Sequence, residues 1–323
     1  MLFRSVNPEF CKDVDAALER IATHIRRTPV EFSHSMSNSS GCKVLLKLEN
    51  LQITGSFKAR GAVNKMSLLA LEHPERIITF SSGNHGSAVA YAAKILELES
   101  LIFLPETVSS AKLSKIKQFG AQVQIEGKDS GDTEQAARAY ALKHGYPYVS
   151  PYNDYDVIAG QGTIAAEVSQ QVSGIDAVFI AVGGGGLISG IGGYLKQMHP
   201  SVQIIACSPE NSAAMHYSLE AGTIIDIDHL ETISDGTAGA LEENAITYEY
   251  CHSVVDQSVL LTEDEIIRSM KEFMNSHQMM IEGSAGVAIA GFSKLQHQFQ
   301  NKQVLIVVCG ANISSEKLIE VLS

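Results

Sequence analysis

Short apolar segments alternate with amphipathic segments of helical periodicity along most of this chain, and no other feature restricts its fold as strongly. Strand-like segments lie at Ile77–Phe80, residues 101–104, Gln122–Ile125, residues 176–182 and Gln303–Val308. Helices of about 10–15 residues between such strands imply parallel sheets that are covered by helices on both faces. The sequence therefore predicts an α/β fold whose ligands bind at the carboxyl ends of the strands.

The region from residue 75 to residue 150 alternates most regularly, and its pattern indicates a compact β-α-β-α-β-α-β unit. This unit includes a fourth short strand at residues 148–150, and Pro151 marks its end. A chain of 323 residues is long enough for roughly two domains. We therefore expect one domain boundary near residue 75 and another near residue 150.

Charge and cysteine usage exclude several classes of protein. With 24 basic and 36 acidic residues the net charge is −12, which argues against nucleic acids and anionic membranes as partners. The most apolar long run, residues 177–195, contains seven glycines and is not expected to span a membrane. The five cysteines lie far apart without a C-x-x-C pair, so we expect neither a disulfide framework nor a zinc site. Residues 1–15 lack the apolar core of a signal peptide, and we expect a cytoplasmic protein.

Lys58 lies in a stretch of small residues between Gly55 and Gly61, which is an unusual setting for a long cationic side chain. Most lysines lie on hydrated surfaces, and that interpretation suits any single short motif. The alternative is a lysine partly withdrawn from water, whose pKa falls and whose amine becomes a nucleophile toward an aldehyde. Two further glycine-rich stretches, at residues 81–86 and 183–186, favour this second interpretation.

A run of four glycines follows a predicted strand and opens a predicted helix: Gly183, Gly184, Gly185 and Gly186. Glycines at such a position let backbone N–H groups approach an anion, and the helix N-terminus favours negative charge. A phosphate group is therefore favoured over a turn that only allows close packing of strand and helix. The G-x-G-x-x-G and P-loop patterns are both absent here, so neither a dinucleotide nor a nucleoside triphosphate is indicated.

A second loop between a strand and a helix reads Ser81-Ser82-Gly83-Asn84-His85-Gly86. Its N–H groups and hydroxyls can bind a small anion such as a carboxylate, and Asn84 can bond to a ligand ring in the plane of that ring. A helix cap made by serine or asparagine accounts for the same residues equally well.

Cys309 follows the last predicted strand, where a cysteine is more often a small core residue than a ligand contact. A thiol at this place can also bond weakly to a neutral ring nitrogen. A nucleophilic lysine, a phosphate cup and a small-anion loop at strand ends have one common solution. That solution is pyridoxal 5'-phosphate bound as a Schiff base beside the carboxylate of a small-molecule amino-acid substrate.

Five ordered motifs between about residues 15 and 320 resemble the serine/threonine dehydratase and serine racemase family. They are Ser56-Phe57-Lys58-Ala59-Arg60-Gly61-Ala62, Ser82-Gly83-Asn84-His85, Ala159-Gly160-Gln161-Gly162-Thr163, the glycine run at residues 183–186, and Cys309-Gly310-Ala311-Asn312. Members of this family are pyridoxal-phosphate enzymes of the tryptophan-synthase-β type, or fold type II. The resemblance implies two domains, each with a twisted, mostly parallel sheet flanked by helices: a large one from residues 1–74 and 150–323, and a small inserted one from residues 75–149. The cofactor would lie in the cleft between them.

The resemblance also implies a role for each motif. Lys58 would hold the cofactor and later move the substrate α-proton, and Ser82 would be a second catalytic group. The cofactor would be bound by Phe57, Lys58, Asn84, Gly183, Gly184, Gly185, Gly186 and Cys309. Among these, Phe57 would pack near the ring, Asn84 would contact the ring 3'-oxygen and Cys309 would face the pyridine nitrogen. The substrate carboxylate would be bound by Ser81, Ser82, Gly83, Asn84 and His85.

The implied reaction is α,β-elimination, in which L-threonine, L-serine or a related 3-hydroxy amino acid becomes a 2-oxo acid and ammonia. A thiol at the ring nitrogen leaves the ring largely unprotonated, which favours elimination over reactions that need a long-lived carbanion. Ser82 keeps racemisation open, because the family often has serine here in racemases and alanine in plain dehydratases. β-Replacement is disfavoured by Lys58-Ala59-Arg60, and a binding protein without catalysis is disfavoured by the intact lysine, phosphate cup and Asn84.

Two departures from the family pattern limit the interpretation. Racemase-like members bind a divalent cation through acidic residues where this chain has Ser208 and Ala214, so we expect no metal, although a displaced use of Glu210 stays open. The chain ends at Ser323 without a C-terminal regulatory domain, so feedback by isoleucine is not expected. Family analogy suggests a homodimer or homotetramer, and the substrate-selecting loops are expected at residues 152–156 and 234–240.

Overall fold

The computed structural model describes residues 8–108 and 110–323. Its α-helices are α1 (Phe10–Ile21), α2 (His34–Ser40), α3 (Lys58–Ala70), α4 (Asn84–Ile95), α5 (Ser110–Lys117), α6 (Ser130–His144), α7 (Tyr155–Gln171), α8 (Gly186–Met198), α9 (Ala214–Ala221), α10 (Ile246–Val254), α11 (Glu263–His277), α12 (Gly283–Leu295) and α13 (Ser315–Leu322). Its strands are β1 (Val30–Phe32), β2 (Lys43–Leu48), β3 (Ile77–Phe80), β4 (Ser100–Leu104), β5 (Gln122–Ile125), β6 (Ala177–Ala181), β7 (Gln203–Pro209), β8 (Gln257–Leu261) and β9 (Gln303–Val308).

Within the described residues the strands form two sheets. The larger has the order β1-β2-β9-β6-β7-β8, and its neighbouring strands are parallel except for β1 with β2. The smaller is parallel, with the order β3-β4-β5. Because β6 and β9 lie in the middle of the larger sheet, they are buried and almost continuously apolar. The predicted α/β fold is confirmed.

The prediction of a fourth strand at residues 148–150 is wrong, because only one of these residues forms a bridge with the smaller sheet. Tyr148 forms an isolated parallel bridge with Ile78. The N–H of Ile78 donates to Pro147 O, and the N–H of Val149 donates to Ile78 O, both at 2.9 Å. Proline has no N–H to donate, so Pro147 and Pro151 do not extend this ladder on either side.

Three hydrophobic cores show how the helices pack against the two sheets and against each other. The largest covers the larger sheet, where the Phe179 ring lies 5.6 Å from that of Phe292 in α12. A second core joins α1 and α3 to α4 through side chains such as Met66 and Val89. A third lies between the smaller sheet and α6. The smaller sheet is thus fixed to α3 by its own helix α4, and the domain boundaries at residues 75 and 150 stay a prediction.

Sequence periodicity misses three short elements, β1, α2 and α10. The sequence of α2 is HSMSNSS, which has no apolar stripe that a periodicity search can detect. Its ends follow local chemistry instead. Ser33 Oγ accepts the N–H of Met36 at 3.3 Å, and Gly41 closes the helix with a φ of 72°.

Two other helix ends test the sequence patterns directly. Val14, Leu18, Ile21 and Ile25 recur at helical spacing and predict a first helix over residues 13–25. The helix spans Phe10–Ile21 instead, because Phe10 joins the buried stripe and the chain turns after Ile21. The sequence Thr262-Glu263-Asp264-Glu265 predicts a capping box at the start of α11, and this prediction is confirmed. None of the helices in the described part of the chain is long and apolar enough to cross a membrane.

Candidate active site

The segment that carries Lys58 is fastened to the carboxyl end of β9. Ser56 forms an isolated antiparallel bridge with Gly310, and the N–H of Phe57 donates to Cys309 O at 3.0 Å. Lys58 is then the first residue of α3. These contacts bring the lysine motif and the Cys309 motif together, as ligand binding at strand ends requires.

The Lys58 ammonium group is only partly exposed. Its Nζ donates to Pro151 O at 2.7 Å and lies 5.2 Å from the centroid of the Phe57 ring. Burial lowers the pKa of Lys58 to about 8, and the negative charge of Glu282 opposes this shift. At such a pKa roughly a tenth of the side chains carry the neutral amine at pH 7. This is the environment that a nucleophilic amine needs.

A tight cradle between β6 and α8 is formed by Gly183, Gly184, Gly185 and Gly186. A Cβ atom on the first glycine would lie 2.5 Å from Thr237 O, and one on the second would lie 2.5 Å from Cγ of the Tyr152 ring. The third has a φ of 86°, which favours glycine. Side chains are therefore excluded, and the first N–H groups of α8 are left to bind an anion. The cradle fits a phosphate group.

Tyr152 packs its ring on this glycine cradle and links it to the smaller sheet. The Tyr152 hydroxyl accepts the N–H of Glu242 at 3.0 Å. The Glu242 carboxylate accepts from Asn153 Nδ2 at 2.8 Å and pairs with Arg138 of α6 at 2.9 Å. The sequence indicates this loop only as a substrate-selecting segment. The structure places its first aromatic ring against the candidate phosphate site.

The loop after β3 turns tightly into α4. The N–H of Gly83 donates to Ser81 Oγ at 3.1 Å, and a Cβ atom on Gly86 would overlap the Ser81 carbonyl oxygen. Ser82 lies half-buried within this loop. Among the described residues no side chain caps the N-terminus of α4, so the helix-cap interpretation is not realised. The first N–H groups of a helix lack partners within it, and this end of α4 therefore fits a carboxylate.

The His85 side chain supports this loop from within the protein. It is buried, and its Nε2 pairs with Val149 O at 3.0 Å. Burial and, to a smaller extent, the charge of Lys58 lower the pKa of His85 to about 3, and the hydrogen bond to Val149 opposes this shift. The imidazole is therefore neutral at physiological pH. Any contact of His85 with a substrate carboxylate would come from its backbone N–H.

The Asn84 side chain belongs to a polar cluster that sequence reasoning largely missed. Asn84 Nδ2 donates to both carboxylate oxygens of Glu282, at 2.9 and 3.0 Å. Asn84 Oδ1 accepts from Asn312 Nδ2 at 2.5 Å, and Asn312 Oδ1 accepts from Nζ of Lys115 in α5. We call Lys115, Asn312, Asn84 and Glu282 the cleft relay.

Glu282 is buried, with 5% of its surface exposed, and it directly precedes the apolar helix α12. Burial raises the pKa of Glu282 to about 7, although the Asn84 amide and the N–H of Asn312 both bond to the carboxylate. A carboxyl group of this kind titrates near neutrality. An acidic residue in front of an apolar helix was the available sequence signal for it, and Lys115 carried none.

Cys309 directly follows β9 and accepts a hydrogen bond from the N–H of Phe57, next to Lys58. Only 1% of its surface is exposed. Burial raises the pKa of the Cys309 thiol well above its ordinary value, and the nearby Glu282 carboxylate adds to this effect. The thiol is therefore uncharged and provides no counter-charge for a protonated ring nitrogen.

A second polar cluster lies beneath the N-terminus of α3. We call Lys47, Glu49, Arg60 and Glu167 the buried ion network, and each is at most 2% exposed. Arg60 pairs with Glu49 and with Glu167, both at 2.8 Å, and Lys47 pairs with Glu167 at 2.6 Å. The network contains two cations and two carboxylates, so its formal charges cancel. It ties β2 and α7 to the turn of α3 that follows Lys58.

Ser208 and Ala214 stand at the positions where the family resemblance implies the cation ligands of racemase-like members, and neither is acidic. Ser208 Oγ donates to Val182 O at 3.3 Å, and Ala214 opens α9. Glu210 is exposed. Within residues 8–108 and 110–323, no group of three or more His, Cys, Asp or Glu side chains could hold a metal ion.

The residues present fit pyridoxal phosphate, since a reactive amine, a side-chain-free anion cradle and an uncharged thiol lie together at strand ends. Comparison with known proteins agrees. A family model described as pyridoxal-phosphate dependent enzyme matches residues 21–310.

An L-threonine ammonia-lyase from Thermotoga maritima is 36% identical over 304 residues, which cover 94% of this chain and 75% of that protein. The solved structure of threonine deaminase isoform 2 from Solanum lycopersicum superposes with a TM-score of 0.94 at 33% identity, covering 98% of this chain and 88% of that chain. Maize serine racemase superposes with a TM-score of 0.89 at 30% identity, covering 97% and 96%. The chain therefore belongs to the family of pyridoxal-phosphate dependent enzymes that includes the threonine ammonia-lyases and the serine racemases.

Proposed function

We propose that this protein is an ammonia-lyase that converts L-threonine, L-serine or a related 3-hydroxy amino acid to a 2-oxo acid and ammonia. The observation that carries the proposal is the position of Lys58, whose amine has a pKa lowered to about 8 and lies at the strand ends that also present the glycine cradle. The names of the relatives support the same reaction class.

Each group in the site has one task in this proposal. Pyridoxal phosphate, when bound, supplies the electron sink for the pair left on Cα after the α-proton departs. Gly183, Gly184, Gly185 and Gly186 would hold its phosphate, Phe57 would pack near its ring, and Asn84 and Cys309 would lie toward the ring oxygen and the ring nitrogen. Lys58 would hold it covalently and would then accept the α-proton. The loop formed by Ser81, Ser82, Gly83, Asn84 and His85 orients the substrate carboxylate.

The uncharged Cys309 thiol favours elimination over slower carbanion chemistry. Its raised pKa means that no negative charge stabilises a proton on the ring nitrogen. The negative charge that develops at Cα would then be stabilised less than it would be if a carboxylate faced the ring nitrogen. Loss of the 3-hydroxyl group would relieve this charge, because the group takes up a proton and leaves as water while the electron pair on Cα forms a Cα–Cβ double bond.

The test is a substrate assay with the cofactor-loaded protein. Wild type should release a 2-oxo acid from L-serine, L-threonine or L-threo-3-hydroxyaspartate, assayed beside the D-forms and with and without magnesium. Lys58→Ala should lose the covalent cofactor absorbance band and on the order of 10³-fold in rate. Lys94→Ala, at an exposed position of α4, is the matched control. Failure of wild type with every one of these substrates would overturn the proposal.

Racemisation is the second candidate, and the half-buried Ser82 at the loop before α4 favours it. A hydroxyl at this place can exchange the α-proton on the side opposite Lys58. Chiral analysis of the unreacted amino acid tests this directly. Ser82→Ala should abolish inversion and leave elimination intact, whereas unchanged inversion in this variant would exclude the role.

We further propose the assembly and domain organisation that the family suggests. The larger sheet lies wholly within residues 1–74 and 150–323 and the smaller within residues 75–149, which supports a cleft between a large and a small domain. Exposed Phe32, Leu51 and Met280 support a homodimer or homotetramer. Five dispersed cysteines support a cytoplasmic location. Light scattering of the purified protein tests the assembly.

A further inference from the structure

The cleft relay crosses from the helix layer of the smaller sheet to the end of the larger one. Lys115 comes from α5, whereas Asn312 follows β9 and Glu282 precedes α12. Asn84 at the start of α4 lies between them, bonded to Asn312 on one side and to Glu282 on the other. The relay therefore joins an amine on one side of the cleft to a carboxylate on the other.

The chemistry of the two ends dictates the direction of every bond in the relay. A lysine ammonium group has donors and no acceptor, so Asn312 must present Oδ1 to Lys115. The amide of Asn312 then turns its Nδ2 toward Asn84 Oδ1 and toward Thr54 O, which accepts at 2.9 Å. Asn84 must in turn present its Nδ2 to the carboxylate of Glu282, which can only accept when ionised.

The same orientation suits a cofactor ring oxygen. That oxygen is an acceptor, so it needs the Asn84 NH₂ group and would be repelled by the Asn84 carbonyl oxygen. An asparagine amide that rotates by half a turn exchanges these two groups at almost the same shape. The donor-only end of the relay removes this ambiguity, because a rotated Asn312 would turn its own NH₂ toward the ammonium group.

Partial burial of the Lys115 ammonium group costs hydration free energy, and a lysine that only contributed surface charge would not be expected at this position. Its side chain is partly buried, and burial lowers the pKa of Lys115 while Glu282 opposes the shift. Its ammonium bonds to an uncharged amide rather than to a carboxylate. Lys117, on the same helix, is exposed. If Lys115 contributed only to solubility, its side chain would be expected to extend into water as that of Lys117 does.

We propose that Lys115 is a positioning residue, which acts through Asn312 to keep the Asn84 amide oriented with its NH₂ group toward the cofactor ring. The inference rests on the proposed role of Asn84 in cofactor binding. It makes the affinity for the cofactor depend on a residue that α5 supplies from the other side of the cleft. Lys115 itself touches neither the cofactor nor the substrate.

Titration of the cofactor-free protein with pyridoxal phosphate measures this effect without any substrate. Lys115→Met keeps most of the length of the side chain but cannot donate a hydrogen bond, and we expect the dissociation constant of the cofactor to rise about 10-fold. Lys115→Arg keeps a donor-only group and should restore affinity to within about twofold of wild type. Lys117→Met removes the same charge from the same helix and is the matched control. An unchanged constant in Lys115→Met, or an equal rise in Lys117→Met, overturns the proposal.

A double-mutant cycle tests the route through Asn84. If Lys115 acts only by orienting Asn84, Lys115→Met should add less than about twofold in an Asn84→Ala background. An additional 10-fold loss there would show a separate role and overturn the proposal. A higher KM for the amino acid at unchanged cofactor affinity would also overturn it, since that result identifies Lys115 as a substrate ligand.

Asn312→Asp is a second variant that does not depend on the folding of Lys115→Met. It keeps an acceptor for the Lys115 ammonium but removes the donor to Asn84, so cofactor affinity should fall by a similar factor. Unchanged affinity would overturn the relay. Failure of the proposed function remains distinguishable, because a wild-type protein that binds the cofactor but releases no 2-oxo acid still reports these dissociation constants.

Discussion

Two polar clusters near Lys58 each contain a buried carboxyl group, but the partners that replace water around that group differ: a cation in one cluster and amide groups in the other. In the buried ion network, Glu49 faces the guanidinium of Arg60 at 2.8 Å with both side chains fully buried. In the cleft relay, Glu282 is almost as buried, but its hydrogen-bond partners are the amide of Asn84 and the N–H of Asn312. The buried ion network joins the larger sheet to α3 and α7. The cleft relay joins α5, beside the smaller sheet, to the segments that follow β9 and precede α12.

The difference appears in the acidities of the two carboxyl groups. Burial alone would raise the pKa of Glu49, but the charge and hydrogen bonds of Arg60 bring it below the ordinary value. Burial does raise the pKa of Glu282, to about 7, because amide donors compensate only part of the lost hydration. The carboxyl group that faces a guanidinium, Glu49, therefore stays ionised at neutral pH. The carboxyl group that is bonded to amides, Glu282, changes its ionisation state near neutral pH.

Removing one partner of the buried ion network should have the largest effect. Arg60→Met leaves two buried carboxylates with one cation, and we expect the free energy of unfolding to fall by about 3–5 kcal/mol. Urea denaturation of wild type and variant measures it. Arg138→Met is the matched control, because Arg138 pairs with Glu242 at a partly exposed site and should cost about 1 kcal/mol or less. Equal losses in the two variants would contradict the contrast between the clusters.

The pH dependence of stability should separate the two clusters next. The native pKa of Glu282 is raised from 4.5 to about 7, so the native state binds the extra proton and stability falls as pH rises through that window. The loss amounts to about 3 kcal/mol at most. The native pKa of Glu49 is lowered, so its contribution is present above pH 4.5 and is lost as pH falls below that value.

Glu282→Gln isolates the first of these effects. The difference in unfolding free energy between wild type and this variant should change between about pH 4.5 and pH 7 and be flat above that range. Urea denaturation at a series of pH values measures it. A difference that does not vary with pH would show that Glu282 is ionised throughout and would remove the distinction between the clusters.

The smallest predicted effect concerns the charge that surrounds the relay. Asp235 contributes to the raised pKa of Glu282, and it also pairs with Lys112 at 3.4 Å and with Lys317 at 3.6 Å. Asp235→Asn should move the Glu282 titration to lower pH while changing stability at pH 8 by about 0.5 kcal/mol or less. A shift to higher pH would contradict the electrostatic account.

Much of the site follows from local sequence because its parts are strand ends. The run at residues 183–186 follows an apolar strand, and only glycine fits where Thr237 and Tyr152 approach it so closely. Lys58 and Cys309 lie where their motifs predict. Each of these signals depends on neighbours within a few residues, so periodicity and glycine spacing are enough to find it.

The remaining parts depend on contacts between distant segments. Lys115 and Asn312 are 197 residues apart, and Asn84 and Glu282 are 198 apart. Neither residue of such a pair has a local pattern that identifies its partner. The prediction of a strand at residues 148–150 fails for a local reason instead, because only Tyr148 pairs with Ile78 and the prolines on either side cannot donate to a longer ladder.

By itself the sequence determined the alternating α/β fold, the glycine cradle and the unusual setting of Lys58 among small residues, because periodicity, glycine spacing and neighbouring residue types are local properties. Tertiary structure alone decided the electrostatic state of the site. Whether a carboxyl group is ionised depends on what distant chain segments place beside it, a guanidinium for Glu49 and amides for Glu282. The pKa of Lys58 likewise depends on burial among Phe57, Pro151 and the ends of β9, which no single stretch of sequence contains.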